Sequence, residues 1–213
     1  MFPLKDDIPS EHAPVVNILL IVLNVLVFLF EMSLGPQLQG LINTYGLVPA
    51  RFEVSALFTS MFLHGGWGHL FGNMLYLWIF GDNVEDRMGH VGYLFFYLVC
   101  GVAAGVAHVL TNAGSAVPTV GASGAIAGVL GAYLVLFPRA RVLTLLPFFT
   151  TVYFPASFFL GIWFVMQVFS GAWQLGVAHT SNVAFLAHVG GFVAGAFLGL
   201  LARGFGRREP SQA

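Results

Sequence analysis

The sequence predicts an all-α membrane protein, a polytopic bundle of six transmembrane helices with a long, partly membrane-embedded loop between helices 1 and 2. Of its 213 residues, 58% are hydrophobic and only 8% are charged, whereas a soluble domain carries about 25% charged residues. So few charges cannot cover a surface that faces water, so lipid must solvate much of the chain. Six apolar segments set the number of helices. They cover residues 15–32, 67–81, 92–111, 123–137, 152–170 and 183–202.

The second and fourth segments are shorter than the roughly 20 residues that cross a bilayer as a helix. A helix over residues 123–137 would be about 22 Å long, less than the ~30 Å thickness of the hydrocarbon core. One end of this helix is therefore expected to begin inside the membrane. Such a start is tolerated where irregular backbone is buried in protein or lines a water-filled cavity.

The basic residues predict the orientation. With six spans both termini lie on one side, and every Lys and Arg except Arg51 falls on that side, which is the cytoplasmic one by the positive-inside rule. We therefore expect a short cytoplasmic segment over residues 1–14, a membrane domain over 15–202 and a cytoplasmic tail over 203–213. The outer segment 33–66 carries many apolar side chains and is expected to lie in, or re-enter, the interface. A net charge of −1, without a basic stretch, does not suit nucleic acid.

Polar side chains at membrane depth are candidates for function. Ser123 stands in Gly121-Ala122-Ser123-Gly124 at the outer end of the fourth segment. Short strings of this kind more often serve close packing of membrane helices than chemistry. His188 lies near the outer end of the sixth segment, and it too has a structural alternative, a hydrogen bond to a backbone carbonyl.

Glycines connect these two candidates. Gly191, Gly195 and Gly199 share the helical face of His188, and the fourth segment has a matching glycine face. Small residues let two membrane helices approach closely. If the two faces pack together, His188 and Ser123 meet. The fourth-segment face consists of Gly124, Gly128 and Gly131.

The second segment adds His69 and Asn73, which are four residues apart and share one face. His64 precedes them. These side chains could form hydrogen bonds between helices, or His64, His69 and His188 could bind a metal ion. The second, fourth and sixth segments all run from outside to inside with their polar residues at the outer end, so Ser123, His188, His69 and Asn73 are expected at one depth.

This combination suits hydrolysis by a serine. A serine hydroxyl needs a nearby base to take its proton, and His188 can act as that base. Apart from Glu31, no carboxylate falls in an outer half-span, so a Ser–His dyad is expected rather than a triad. The backbone N–H of Ser123, unpaired in the first turn of a helix, and the side chains of His69 and Asn73 could stabilise the oxyanion.

At this point the sequence resembles the rhomboid intramembrane serine proteases over residues 45–202. The motifs that carry the resemblance are His64-x4-His69-x3-Asn73, Gly81-Asp82-Asn83-Val84-Glu85-Asp86-Arg87, Gly121-Ala122-Ser123-Gly124 and Ala187-His188-x2-Gly191-x3-Gly195.

The resemblance implies a rhomboid-like fold and hydrolysis of peptide bonds in or near the transmembrane helices of protein substrates, without a cofactor or metal. It makes Ser123 the nucleophile and His188 the general base. His69 and Asn73 become oxyanion donors, and His64 becomes a structural histidine of the first loop. Gly121, Gly124, Gly191 and Gly195 are the other structural residues of the site. The expected location is the plasma (inner) membrane of a prokaryote. Substrates and oligomeric state stay open.

The sequence departs from the family at Ala127, where many members carry an aromatic residue that stacks on the catalytic histidine. We expect Phe185 or Phe192 to hold the imidazole instead. The aromatic residues of the fifth segment either form a lateral gate against the second segment or face lipid. They are Phe154, Phe158, Phe159, Trp163 and Phe164.

Two other functions are compatible with parts of the sequence. A histidine-lined metal transporter would bind zinc through His64, His69 and His188, although ion pathways usually contain intramembrane carboxylates. A catalytically silent protein that holds client helices would bind them equally well after Ser123→Ala and never release fragments.

Overall fold

The computed structural model describes residues 2–176 and 184–205, and most of them are helical. The α-helices of this part of the chain are α1 (Val15–Ser33), α2 (Leu38–Tyr45), α3 (Ala56–Thr59), α4 (Trp67–Met88), α5 (His90–Thr111), α6 (Ser123–Leu136), α7 (Ala156–Gly176) and α8 (Phe185–Phe205). The strands are β1 (Phe2–Asp6), β2 (Arg141–Leu145) and β3 (Thr151–Pro155).

The side chains are distributed as in a protein solvated by lipid. Large apolar side chains such as Leu110 and Phe169 are about three-quarters exposed, while Asn17, Asn24 and Glu31 are fully buried. Four helices among the described residues are long and apolar enough to cross a membrane. They are Val15–Ser33, His90–Thr111, Ala156–Trp173 and Phe185–Gly204.

Helix α6 occupies the centre of the bundle. Its residues from Ala125 to Tyr133 are all buried, as expected of a helix that is apolar on every side. It has 14 residues and is therefore about 21 Å long. The short fourth segment predicted from the sequence is confirmed to within one residue.

Helix α4 is longer than predicted. The sequence analysis ends it at residue 81, but it continues to Met88 and has 22 residues, so the prediction that it is short is wrong. Its polar inner half is helical because its carboxylates have partners in the protein. Glu85, 2% exposed, accepts hydrogen bonds from the N–H groups of Val16 and Asn17 at 2.9 and 2.7 Å, which the first turn of α1 leaves unpaired.

A small antiparallel sheet joins the same end of the bundle, in the order β1-β2-β3. The Tyr133 hydroxyl donates to the Asp6 carboxylate, and Arg141 forms a 3.0 Å ion pair with Asp7. The mainly helical fold agrees with the sequence analysis, but the prediction of an all-α protein is wrong for this sheet. The fifth helix consequently begins at Ala156, after β3, and not at residue 152.

The segment between α1 and α4 contains α2 and α3 and packs against α5. Leu47 and Leu57 are buried there against Val102 and Val109. Leu47 also pairs with Thr119 through backbone hydrogen bonds of 2.9 and 2.8 Å, which fixes the loop before α6. The predicted start of the sixth segment at residue 183, and the tail from residue 206 onward, lie outside the described residues.

Candidate active site

Helices α6 and α8 are in backbone contact through their glycines. A Cβ atom built at Gly191 would lie 2.0 Å from the carbonyl oxygen of Gly124, and one at Gly195 would lie 1.9 Å from that of Gly128. No side chain larger than hydrogen fits at either position. The two glycine faces therefore pack as predicted, and this contact brings the N-terminal ends of α6 and α8 together.

Ser123 and His188 meet at these ends. Ser123 is the first residue of α6 and His188 the fourth of α8, so His188 lies near the end of its helix as predicted. The Nε2 atom of His188 lies 2.8 Å from Ser123 Oγ. This is the distance and arrangement of a nucleophile and its general base.

The other imidazole nitrogen is also engaged. His188 Nδ1 lies 2.8 Å from Oε1 of Gln167 on α7. An amide oxygen can only accept, so Nδ1 carries the proton and Nε2 is left free to accept from the serine hydroxyl. The sequence analysis missed Gln167, because it searched the outer half-spans for carboxylates and found none near His188.

An aromatic ring holds the imidazole from a helix that was not expected. Ala127 is buried inside α6, and the ring beside His188 is Trp163 of α7, with centroids 6.1 Å apart. Phe192 stacks on Trp163 at 6.0 Å and thereby supports it. The expectation that Phe185 or Phe192 packs on His188 is therefore replaced by Trp163. Gln167 lies one helical turn further along α7, so one face of α7 contacts the imidazole twice.

His69 and Asn73 point at the loop before Ser123. The N–H of Gly65 donates to His69 Nδ1 at 3.3 Å, which leaves His69 Nε2 with its proton. A Cβ at Gly121 would lie 2.7 Å from that Nε2 and 3.7 Å from Asn73 Nδ2, so the two donors converge on one spot. Gly121 has φ +130°, which only glycine adopts readily. Asn73 is buried, and its Nδ2 has no partner among the described residues.

His64 lies behind His69 and outside the Ser123–His188 pair. His64 is 1% exposed. Its backbone N–H donates to the buried Glu31 carboxylate at 3.1 Å, and the centroid of its ring lies 5.2 Å from that of the His69 ring. These contacts suit a residue that positions its neighbours. Within the residues that the structure describes, no group of three His, Cys, Asp or Glu side chains is arranged to hold a metal ion.

A cavity of about 820 Å³ opens over these groups. Ser123, His188, His69 and Asn73 all line it, so the four predicted site residues share one chamber. Its lining includes residues of α4 and of α7, and a Cβ built at Gly68 or Gly72 of α4 would meet nothing within 4 Å.

The fifth-helix aromatics divide between the two predicted orientations. Phe158 is 49% exposed, while Phe159 is buried and stacks on Phe80 of α4. Trp163 and Phe164 both stack on Phe192 of α8. The lipid-facing interpretation therefore fits Phe158, whereas Phe159 is buried and Trp163 and Phe164 are partly buried against the core. Phe154 lies in β3 instead of the helix and stacks on Phe158. The lateral gate stays a prediction.

Comparison with known proteins places this arrangement in a family. Residues 51–205 match the family described as "Rhomboid domain", a stretch that includes Ser123, His188, His69 and Asn73. The chain belongs to the rhomboid family. It is 32% identical to "Rhomboid protease GluP" of Bacillus subtilis over 92% of its own length and 37% of that protein.

Other rhomboid relatives come from eukaryotes. "RHOMBOID-like protein 1" of Arabidopsis thaliana is 32% identical over 79% of this chain and 39% of that protein. "Rhomboid protein 1, mitochondrial" of Saccharomyces cerevisiae is 28% identical over 86% of this chain and 52% of that protein. The chain thus spans between about a third and a half of the length of these curated relatives.

Rhomboid membership and the apolar helices together make the chain an integral, multi-pass membrane protein. They do not select a membrane, because the relatives include bacterial and mitochondrial proteins. The predicted prokaryotic location, and the cytoplasmic placement of both termini, stay predictions.

Proposed function

We propose that this rhomboid is an intramembrane serine endopeptidase that cleaves peptide bonds in or near the transmembrane segments of protein substrates. The observation that carries the proposal is the 2.8 Å contact between His188 Nε2 and Ser123 Oγ, in a cavity that also contains unpaired hydrogen-bond donors. Relatives named as rhomboid proteases support the same reaction.

The reaction follows from the positions of the groups. Ser123 Oγ attacks the carbonyl carbon of the substrate peptide while His188 Nε2 takes its proton. The carbonyl oxygen becomes negatively charged and binds the N–H groups of His69 Nε2, Asn73 Nδ2 and the Ser123 backbone. The intermediate collapses when His188 returns the proton to the leaving amine, leaving an ester on Ser123. Water, deprotonated by His188, then hydrolyses this ester and regenerates the serine hydroxyl.

The depth of the site suits a membrane-embedded substrate. Helix α6 is about 21 Å long and cannot cross a hydrocarbon core of about 30 Å, so Ser123 lies below the outer surface. The cavity lined by Gly68 and Gly72 of α4 and by Trp163 and Gln167 of α7 has a volume of about 820 Å³, which is ample room for the water that the hydrolysis consumes. A substrate helix that reaches it must unwind locally, since a helix hides its peptide carbonyls in its own hydrogen bonds.

The proposed topology has six spans, α1, α4, α5, α6, α7 and α8. The segment between α1 and α4 lies partly in the outer interface, and both termini face the cytoplasm. Single cysteines test this arrangement well, because Cys100 is the one cysteine of the chain and is buried. In a Cys100→Ala background, Glu11→Cys and Glu53→Cys are expected to react with an impermeant maleimide from opposite sides of the membrane. Labelling of both from one side contradicts the six-span topology.

An active-site label tests the chemistry without a known substrate. A fluorophosphonate reacts when a serine oxygen displaces fluoride, and this needs an activated serine. We expect the wild type to be labelled, Ser123→Ala and His188→Ala not to be, and Ser55→Ala, an exposed serine of the outer segment, to be labelled normally. Labelling that survives Ser123→Ala contradicts the assignment.

Comparison of membranes that express the wild type or Ser123→Ala identifies the substrates. Fragments of membrane proteins that depend on Ser123 are expected only with the wild type. Client proteins that bind both forms equally, with no fragment released from either, would instead favour the silent binding protein.

A further inference from the structure

The imidazole of His188 is bonded at both nitrogens, and one of the two partners has no part in the dyad. Nε2 contacts Ser123 Oγ and Nδ1 contacts Gln167 Oε1, each at 2.8 Å. A histidine can act as a base at Nε2 only if its proton is on Nδ1. Whatever accepts a hydrogen bond from Nδ1 therefore selects the reactive tautomer.

We propose that Gln167 is a positioning residue of the catalytic site, and that it holds His188 in the tautomer and orientation that activate Ser123. The inference rests on the proposed function, since it concerns the same serine and histidine. It extends the expected dyad to a hydrogen-bonded chain of three side chains, Ser123, His188 and Gln167, contributed by α6, α8 and α7.

A neutral amide suits this position for a physical reason. In water-soluble serine hydrolases a carboxylate accepts a hydrogen bond from the Nδ1–H group, but an ionised carboxylate is costly within a membrane. The amide oxygen supplies an acceptor without a net charge. Its dipole also stabilises the imidazolium that forms when the serine proton is transferred, although less than a full charge would.

The geometry of α7 supports a positioning role. Trp163 lies one turn before Gln167 on the same helix, and its ring packs beside the imidazole at 6.1 Å. The ring limits rotation of the imidazole while the amide fixes the hydrogen bond. These two contacts hold the imidazole in place of the aromatic residue that many family members carry at the position of Ala127. The methyl group of Ala127 provides neither a ring face nor a hydrogen-bond acceptor.

Both contacts to the imidazole other than the serine come from α7. The same helix also lines the cavity through Trp163 and Gln167, so one helix both shapes the chamber and orients the base.

Three variants of the full-length protein test the proposal through the rate of fluorophosphonate labelling as a function of pH. Gln167→Met keeps the length of the side chain and removes the acceptor, and we expect labelling to slow roughly tenfold to a hundredfold, as for other residues that orient a reactive group. Gln167→Glu keeps an acceptor and adds a charge that stabilises the imidazolium. We expect it to be labelled, with the acid side of its pH profile moved to higher pH. Met166→Leu, an exposed neighbour on α7, is the matched control and should resemble the wild type.

A structural role alone would not move the pH profile, so that shift decides between the two roles even if Gln167→Met lowers the thermal unfolding midpoint. Labelling of Gln167→Met at the wild-type rate, or an unmoved profile in Gln167→Glu, overturns the proposal. So does loss of labelling in a folded Gln167→Glu, because it would mean that the amide donates to Nδ1. None of these results affects the proposed function as long as the wild type is labelled and Ser123→Ala is not. If Ser123→Ala is labelled, the proposed function itself is overturned.

Discussion

Gly191 of α8 lies directly against the backbone of Gly124 in α6, so closely that a Cβ at residue 191 would be 2.0 Å from the Gly124 carbonyl oxygen. Gly191→Ala must therefore push the two helices apart. Because Ser123 adjoins Gly124 and His188 precedes Gly191 by one turn, the contact between Oγ and Nε2 lengthens as well. We expect fluorophosphonate labelling to fall about 100-fold, the usual effect of misplacing reacting groups by about 1 Å. The thermal unfolding midpoint should fall too, since overpacking costs about 1–3 kcal/mol.

Gly161→Ala is the matched control for this substitution. Gly161 lies within α7, and nothing comes within 4 Å of a Cβ built there. We expect it to keep both the labelling rate and the unfolding midpoint of the wild type. A Gly191→Ala protein that behaves like Gly161→Ala would contradict the close contact of α6 and α8.

The juxtaposition of Ser123 and His188 could be predicted from sequence because glycine spacing is a local signal with a single physical meaning. Glycines at every fourth residue make one helical face smooth, and two such faces beside two polar residues imply one contact. Gln167 gives no such signal. A single amide in an aromatic helix could equally face a neighbouring helix or a cavity, and only the packing of α7 on α8 decides which nitrogen of His188 it meets.

The sheet could not be predicted for a different reason. Strand β3, Thr151–Pro155, continues without interruption into the apolar residues of α7, so hydropathy alone assigns it to the helix. Its partner β2 is five residues long, and β1, the third strand, ends at Asp6, which is 135 positions before β2 begins at Arg141. Pairing over such a distance leaves no periodic trace in the sequence, because it depends on where the bundle places the ends of α1 and α6.

Asn73→Ala separates a functional from a structural role. Asn73 Nδ2 is buried without a partner among the described residues, so the resting protein gains little from it, whereas a developing oxyanion would use it. We expect kcat for cleavage of an identified substrate to fall by about 10²–10³, as for loss of other oxyanion donors, with KM little changed. The unfolding midpoint should stay the same or rise, because a buried unpaired donor is removed.

The exposed Asn43 of α2 provides the control, and Asn43→Ala should leave kcat unchanged. A lower unfolding midpoint for Asn73→Ala with normal kcat would assign Asn73 to the fold and remove it from the reaction.

Glu85→Ala is expected to destabilise the protein far from the reaction. The buried Glu85 carboxylate accepts the N–H groups of Val16 and Asn17 at the start of α1. Removing it leaves the buried N–H of Asn17 and the partly buried N–H of Val16 without an acceptor, and a buried unpaired donor costs about 1–3 kcal/mol. The unfolding midpoint should therefore fall while the labelling rate of the remaining folded protein is unchanged. Glu53→Ala, an exposed carboxylate of the outer segment, should change neither, and equal midpoints for the two variants would contradict the role of Glu85.

Asp6 should make stability depend on pH. Burial raises the pKa of this carboxyl from 3.8 to about 6, and the hydrogen bond from the Tyr133 hydroxyl offsets this only in part. The folded protein therefore holds the Asp6 proton more tightly than the unfolded chain, so its stabilising contribution is complete below about pH 4 and is lost as the pH rises through about 6. We expect the unfolding midpoint of the wild type, measured relative to Asp6→Asn, to fall across this interval and then to level off. A difference that stays constant, or that grows with pH, would mean that Asp6 is already ionised throughout the interval.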